Sequence, residues 1–207
     1  MVDVAGLGVA SSAFATTGGP PCPTVWAIPD DETMLGQIAA MLQRLCDHNS
    51  DHSGACPTIF DSAAPPLLLP SVHCFLVRLH RHTEFDSVNY LVALSHIMRL
   101  DMRLRLSEAH GPALRPTRHN IHRLFIAALV VASKTNDDTF HPNRFMAKCG
   151  GISNAELNKL EVDLCERLRW DLAVQPEELI ALTSQLMGVS TYEDDASALL
   201  LDSPVYE

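Results

Sequence analysis

The fold of this 207-residue chain follows from residues 121–134, which read IHRLFIAALVVASK. As a helix, these residues would be apolar around most of their circumference, with a short polar edge at His122 and Arg123. A helix that is apolar on nearly every side must be surrounded by other helices. Its alanines allow neighbours to approach closely, so the stretch predicts a central helix with four others packed around it.

A second stretch, residues 152–172, reads ISNAELNKLEVDLCERLRWDL and predicts another helix with an unusual residue in its apolar stripe. Ser153 and Glu156 have the spacing of a capping box, which fixes where the helix begins. At about 100° per residue, Glu161 falls among the leucines that form the buried stripe. An ionised carboxylate in that position is costly unless a cation or a donor reaches it.

Two interpretations of Glu161 remain open from periodicity alone. The carboxylate either forms an internal ion pair, with Arg78 or Arg99 as candidate partners, or faces a partner protein that supplies donors. Arg99 lies on the apolar side of its own predicted helix, which is typical of an arginine whose head finds carbonyls or an acid at the core edge. Lys134, in the last turn of its helix, is favoured there by the helix dipole.

Helical spacing of apolar residues continues through most of the chain, and alternating strand patterns are absent, so the predicted class is all-α. Five helices are expected close together, at about 71–82, 86–105, 117–135, 141–149 and 153–169. We predict five segments: a disordered N-terminal segment (1–29), an N-terminal helix and loop (30–70), the five-helix unit (71–172), a C-terminal helix (173–188) and an acidic tail (189–207).

The formal net charge of −10 argues against nucleic acid as the main partner, because phosphate binding requires clustered Lys and Arg. Residues 71–170 hold 14 Lys and Arg against 10 Asp and Glu, an excess too diffuse to change that conclusion. No apolar run of about 18 residues predicts a membrane span. The six scattered cysteines are expected to be reduced, which favours an intracellular location, in the nucleus and/or cytoplasm.

Ten histidines raise the question of an enzyme or a metal site. His80 and His82 are two residues apart and do not share a helical face. No His-Glu-x-x-His, Cys-x-x-Cys or nucleophile motif accompanies the histidines. We therefore expect no catalytic residues, no metal and no cofactor.

Three segments together resemble the cyclins, and among them the single-box P/U-type cyclins of phosphate signalling. Residues 71–79 look like the pattern S-I-x-x-Y-L-x-R-I. Residues 120–138 look like N-x-H-R-L followed by A-x-K-x-x-D-D. Residues 145–172 look like Y-x-A-K-V-G-G-I-S-x-x-E-L-N-x-L-E-x-x-F-L-x-x-L-x-F-x-L. The resemblance covers about residues 70–172.

This resemblance implies a cyclin box, a five-helix bundle around its third helix, with an extra helix at each end. It also implies a regulatory subunit, with no activity of its own, that binds and activates a cyclin-dependent protein kinase. In the family, the positions of Lys134 and Glu161 bind the backbone around the C-helix of the kinase. The family residues at the positions of Trp170 and Leu172 pack against the same C-helix of the kinase.

The chain departs from the family pattern at three positions. Cys74 stands where an acid is usual, and His96 and Met98 replace the tyrosine and aspartate that precede Arg99. An ion pair common in cyclins is therefore expected to be missing, which leaves open how Arg78 and Arg99 are paired. The alternative function is a cyclin-fold transcription or scaffold protein without kinase activation. The single box and the acidic charge argue against a transcription factor that binds promoter DNA. Cell-cycle and nutrient-signalling roles are not distinguished.

Overall fold

The computed structural model describes residues 30–50, 58–106 and 114–188, and this part of the chain is helical without any strand. The helices are α1 (Asp31–His48), α2 (Val72–Thr83), α3 (Ser87–Arg105), α4 (Ile121–Asn136), α5 (Asn143–Gly150), α6 (Asn154–Arg167) and α7 (Pro176–Leu186). The all-α class is confirmed, with α2–α6 as the predicted bundle and with α1 and α7 beside it. The predicted disordered segment 1–29 and acidic tail 189–207 lie outside the described residues.

Helix α4 forms the centre of the bundle, as its composition predicts. Every residue from Leu124 to Ser133 is buried, and α4 packs against α2, α3, α5 and α6. Truncating one of its fully buried leucines, such as Leu129, to alanine would cost about 2–5 kcal/mol of stability, because the surrounding helices can collapse only partly into the space.

Side-chain caps fix where several helices begin. Asp30, Ser71, Asp86 and Ser153 each accept a hydrogen bond from a backbone N–H in the first turn that follows. The capping box predicted at Ser153 is confirmed, since Glu156 also accepts from the Ser153 N–H. These caps satisfy amides that would otherwise have no partner within the helix.

The predicted helix boundaries differ from the observed ones by up to four residues, and the difference is largest at the start of α4. Helix α4 begins at Ile121 and not at residue 117, because the Asn120 side chain accepts from the Thr117 N–H (2.8 Å) and donates to the Arg115 carbonyl (2.9 Å), which holds a turn. Helix α6 ends at Arg167 and not at residue 169, since the backbone turns left-handed two residues later.

The flanking helices cover one side of the bundle. Helix α1 packs against α2, α3 and α7, and α7 packs against α3 and α1, whereas α6 packs against α4 and α5. Within the described ranges, none of the helices combines the length and apolarity needed to span a bilayer.

The four described cysteines are free thiols, three of them buried in the core. Burial raises the pKa of the Cys46 thiol to about 12, so it stays protonated at neutral pH and serves as a small apolar filler.

Candidate functional site

Lys134 and Glu161 are brought together at the surface, where the last turn of α4 meets the middle of α6. The Lys134 Nζ lies 2.6 Å from the Glu161 Oε1, and the two side chains are 29% and 18% exposed. The internal partners considered for Glu161, Arg78 and Arg99, were wrong, because Lys134 is the cation that reaches it. Periodicity shows which face of a helix a residue occupies, but not which neighbouring helix supplies its partner.

Asn143, at the start of α5, holds the second oxygen of the same carboxylate. Its Nδ2 donates to the Glu161 Oε2 (2.6 Å) and to the Asn158 Oδ1 (2.8 Å). On the other side, the Lys134 Nζ lies 6.0 Å from the centroid of the Phe140 ring. Sequence reasoning missed Asn143, because an asparagine directly after Pro142 indicates a helix start and gives no sign of a contact with α6.

The pair keeps unused hydrogen-bonding capacity. An ammonium group has three N–H donors, and each carboxylate oxygen has two lone pairs. One donor of Lys134 and one lone pair on each oxygen of Glu161 are engaged by the contacts above. Because both side chains reach solvent, the pair can donate to a backbone carbonyl and accept from a backbone N–H of another chain at once.

Trp170 and Leu172 lie just beyond the C-terminal end of α6, the helix that carries Glu161. Trp170 is 65% exposed, a large value for the biggest apolar side chain. Leu172 is half-buried and packs against the core. Helix α6 therefore carries Glu161, and the exposed Trp170 follows three residues after its C-terminal end.

Arg99 and Arg78 have different surroundings. The Arg99 guanidinium is bound to the Glu178 carboxylate of α7, with Nη2 and Oε2 2.5 Å apart. The Arg78 guanidinium carbon lies 5.4 Å from the centroid of the Phe75 ring, and among the described residues no ion pair includes Arg78. Glu178 was not singled out from the sequence, where it looks like an ordinary first-turn acid of α7.

Two groups around Arg99 have shifted pKa values. Burial alone would raise the pKa of Glu178, but hydrogen bonds from Arg99 and Ser95, and the charge of Arg99, outweigh burial and lower it. Burial lowers the pKa of His96, although a hydrogen bond to the Leu172 carbonyl opposes the change. At neutral pH, Glu178 is therefore an ionised carboxylate and His96 is a neutral imidazole.

Fold and site together define a helical domain of the cyclin-box class. A family model described as "Cyclin" matches residues 32–172. Cyclin-P1-1 of Oryza sativa subsp. japonica is 38% identical over 121 residues, which cover 58% of this chain and 43% of that protein. Cyclin-P3-1 of the same species is 31% identical over 175 residues, 82% of this chain and 67% of that protein. Cyclin-U4-1 of Arabidopsis thaliana is 27% identical, over 82% of each chain.

The chain belongs to the cyclin family, and within it to the P/U type. Membership supports a cyclin regulatory role. The chain spans less than half of the length of Cyclin-P1-1 and about two thirds of that of Cyclin-P3-1.

Proposed function

We propose that this cyclin binds a cyclin-dependent protein kinase and activates it by pushing the kinase C-helix inward. The inward position lets the catalytic Lys–Glu ion pair of the kinase form, and contact with the cyclin helps to order the activation segment. Phosphate transfer then takes place on the kinase. The observation that carries this proposal is the Lys134–Glu161 pair, which is formed and yet reaches solvent.

The chemistry of the pair suits the backbone at the end of a helix. Helix ends expose N–H and C=O groups that lack partners within the helix. Lys134 can donate to such carbonyls while Glu161 accepts from such amides, and the fixed Lys–Glu geometry sets the distance between the two contacts. Asn143 supports this arrangement because it holds the carboxylate from the far side.

An apolar contact accompanies the polar one. The exposed indole of Trp170 offers the kind of surface on which binding energy concentrates in interfaces, where tryptophan is enriched among the residues that matter most. Leu172, which is half-buried and packs against the core two residues later, would add to the apolar contact. Polar pair and tryptophan together fit an amphipathic helix of the partner better than a small molecule or a nucleic acid.

The test replaces Lys134 and Glu161 with alanine in the same chain. Removing both partners leaves no unpaired buried charge, so the helicity and the melting temperature should stay close to those of the wild type. Co-purification with a panel of cyclin-dependent kinases, and kinase activity toward a peptide substrate, should both be lost.

The matched control replaces another ion pair of the same type. Arg118 and Asp47 form a surface pair between the start of the α4 region and α1, with Nη2 and Oδ1 2.7 Å apart. The double alanine variant of this pair should keep full kinase binding. Kinase activation that survives the loss of Lys134 and Glu161 would contradict the proposal, and so would a double variant that fails to fold, because the pair would then act within the domain.

A further inference from the structure

The backbone directly after α6 has an unusual conformation. Arg169 and Trp170 both have positive φ angles, 56° and 59°, in the left-handed region. Side chains other than glycine disfavour this region, and two such residues in a row persist only where the surroundings fix them. The bonds from the Trp170 N–H to the Cys165 carbonyl and from the Arg169 N–H to the Glu166 carbonyl, both 2.9 Å, close the end of the helix.

Helix α3 holds the next three residues by their carbonyl groups. Arg99 donates from Nη1 to the Asp171 carbonyl (3.2 Å) and from Nη2 to the Ala173 carbonyl (2.9 Å). Between them, the His96 Nε2 donates to the Leu172 carbonyl (3.1 Å). Three consecutive backbone oxygens are therefore fixed by two side chains one helical turn apart. We refer to residues 169–173 as the anchored segment.

The guanidinium that makes these contacts is itself held in place. Glu178 of α7 accepts from the Arg99 Nε (3.0 Å) and Nη2, and the Ser95 hydroxyl donates to the same carboxylate. Arg103, one turn further along α3, binds the Asp171 carboxylate (3.0 Å). Arg99 is only 19% exposed, so its planar head is locked between α3, α7 and the anchored segment.

We propose that Arg99 is a positioning residue for partner binding: it holds the anchored segment so that the Trp170 indole is already presented in its docking orientation before the kinase arrives. This inference rests on the proposed function. A segment that is ordered in advance loses less conformational entropy on binding, which increases affinity without a new contact. The exposed indole on a backbone fixed at every carbonyl from Asp171 to Ala173 is the arrangement that such a role requires.

The test variants are Arg99→Gln and Arg99→Lys. Glutamine shortens the side chain and removes the charge, whereas lysine keeps the charge and most of the stem but lacks the fork that reaches two carbonyls and a carboxylate together. Arg118→Gln is the matched control, because it removes a surface arginine that pairs with Asp47 far from the anchored segment in sequence.

Two measurements report separately on the mobility of the anchored segment and on the affinity for the kinase. Trp26, the other tryptophan, lies outside the described residues, and Trp26→Phe leaves Trp170 as the sole tryptophan. Time-resolved fluorescence anisotropy of the free chain then reports the mobility of Trp170, and titration with the kinase reports affinity. Far-ultraviolet circular dichroism identifies any variant that fails to fold. If Arg99→Gln does not fold, Arg99→Lys, which changes the side chain less, is used for both measurements.

We expect both Arg99 variants to increase the fast component of the Trp170 anisotropy decay and to weaken kinase binding about tenfold, with Arg118→Gln changing neither. An unchanged anisotropy decay, or a mobile Trp170 with unchanged affinity, would overturn the positioning role while leaving the proposed function intact. If the wild-type chain binds no kinase, the proposed function fails and this inference fails with it.

Discussion

Trp170 is a large and mostly exposed apolar residue, and we assign its side chain to the contact with the kinase. Its indole is mostly exposed in the free chain, so truncation removes little packing within the domain. We expect Trp170→Ala to weaken kinase binding by about 2–4 kcal/mol, as at an interface hot spot, with a small change in melting temperature.

Isothermal titration calorimetry against the kinase measures this loss directly. Leu68→Ala provides the control, because Leu68 is also a large exposed apolar residue but lies in the short 3-10 helix before α2. Equal losses in the two variants would show that exposed apolar area in general, and not Trp170 in particular, drives binding.

His96 makes the stability of the domain depend on pH. Burial lowers its pKa in the folded chain, while the unfolded chain has the ordinary value of about 6.5. Below about pH 6.5 the unfolded state therefore binds more protons than the folded state, and the free energy of unfolding decreases as the pH falls. Protonation would also turn Nδ1 into an N–H donor, and Nδ1 is buried with no hydrogen-bond partner among the described residues.

Urea denaturation at pH 7 and pH 5 tests this prediction. His96→Gln keeps a donor for the Leu172 carbonyl but cannot titrate, so it should lose less stability between the two pH values than the wild type. His119→Gln, at an exposed position, should behave like the wild type. Burial also lowers the pKa of His122, so part of the dependence should remain in the His96 variant. A His96→Gln chain with the full wild-type dependence would refute the assignment.

At the scale of elements, the junction between α5 and α6 contains two glycines. One allows close packing against α4, and the other adopts a left-handed backbone conformation. Gly150 lies directly against α4, where an added Cβ would stand 2.1 Å from the Ile126 Cδ1. Gly151 has a φ of 72° and ends α5 in the left-handed conformation. We expect Gly150→Ala to cost about 1–3 kcal/mol through overpacking, and Gly151→Ala about 1 kcal/mol or more through backbone strain.

A second substitution separates the two causes. Ile126→Val deletes the Cδ1 atom that Gly150→Ala would contact, so the double variant should be more stable than the sum of the single effects predicts. Ile126→Val should not reduce the stability loss caused by Gly151→Ala, because that loss comes from backbone strain. Chemical denaturation of the three single variants, the two double variants and the wild type supplies the comparison, and strict additivity at Gly150 would contradict the close approach to α4.

The elements also show what the sequence could and could not predict. The apolar circumference of residues 121–134 predicted a buried central helix, because such a surface is stable only among neighbours. The Lys134–Glu161 pair could not be derived from periodicity, since the crossing of α4 and α6 determines it. The anchored segment was also missed, because left-handed residues other than glycine leave no pattern in sequence.

At the scale of the whole molecule, the flanking helices leave the proposed docking side uncovered. Helices α1 and α7 contact each other and pack on α3, and α1 also packs on α2, while the main packing of α6 is against α4 and α5. Lys134, Glu161 and Trp170 lie at or just beyond α4 and α6. The extra helices can therefore stabilise the box, and α7 can hold Arg99 through Glu178, without blocking the surface that we assign to the kinase.

Hydrogen–deuterium exchange of the kinase, with and without this cyclin, tests the central claim most directly. We predict that the wild-type chain slows exchange in the kinase C-helix and that the chain lacking Lys134 and Glu161 does not. In the cyclin, slower exchange is predicted around the end of α4, along α6 and in the anchored segment. Protection of the cyclin at α1 and α2 instead, with no change in the kinase C-helix, would contradict the account.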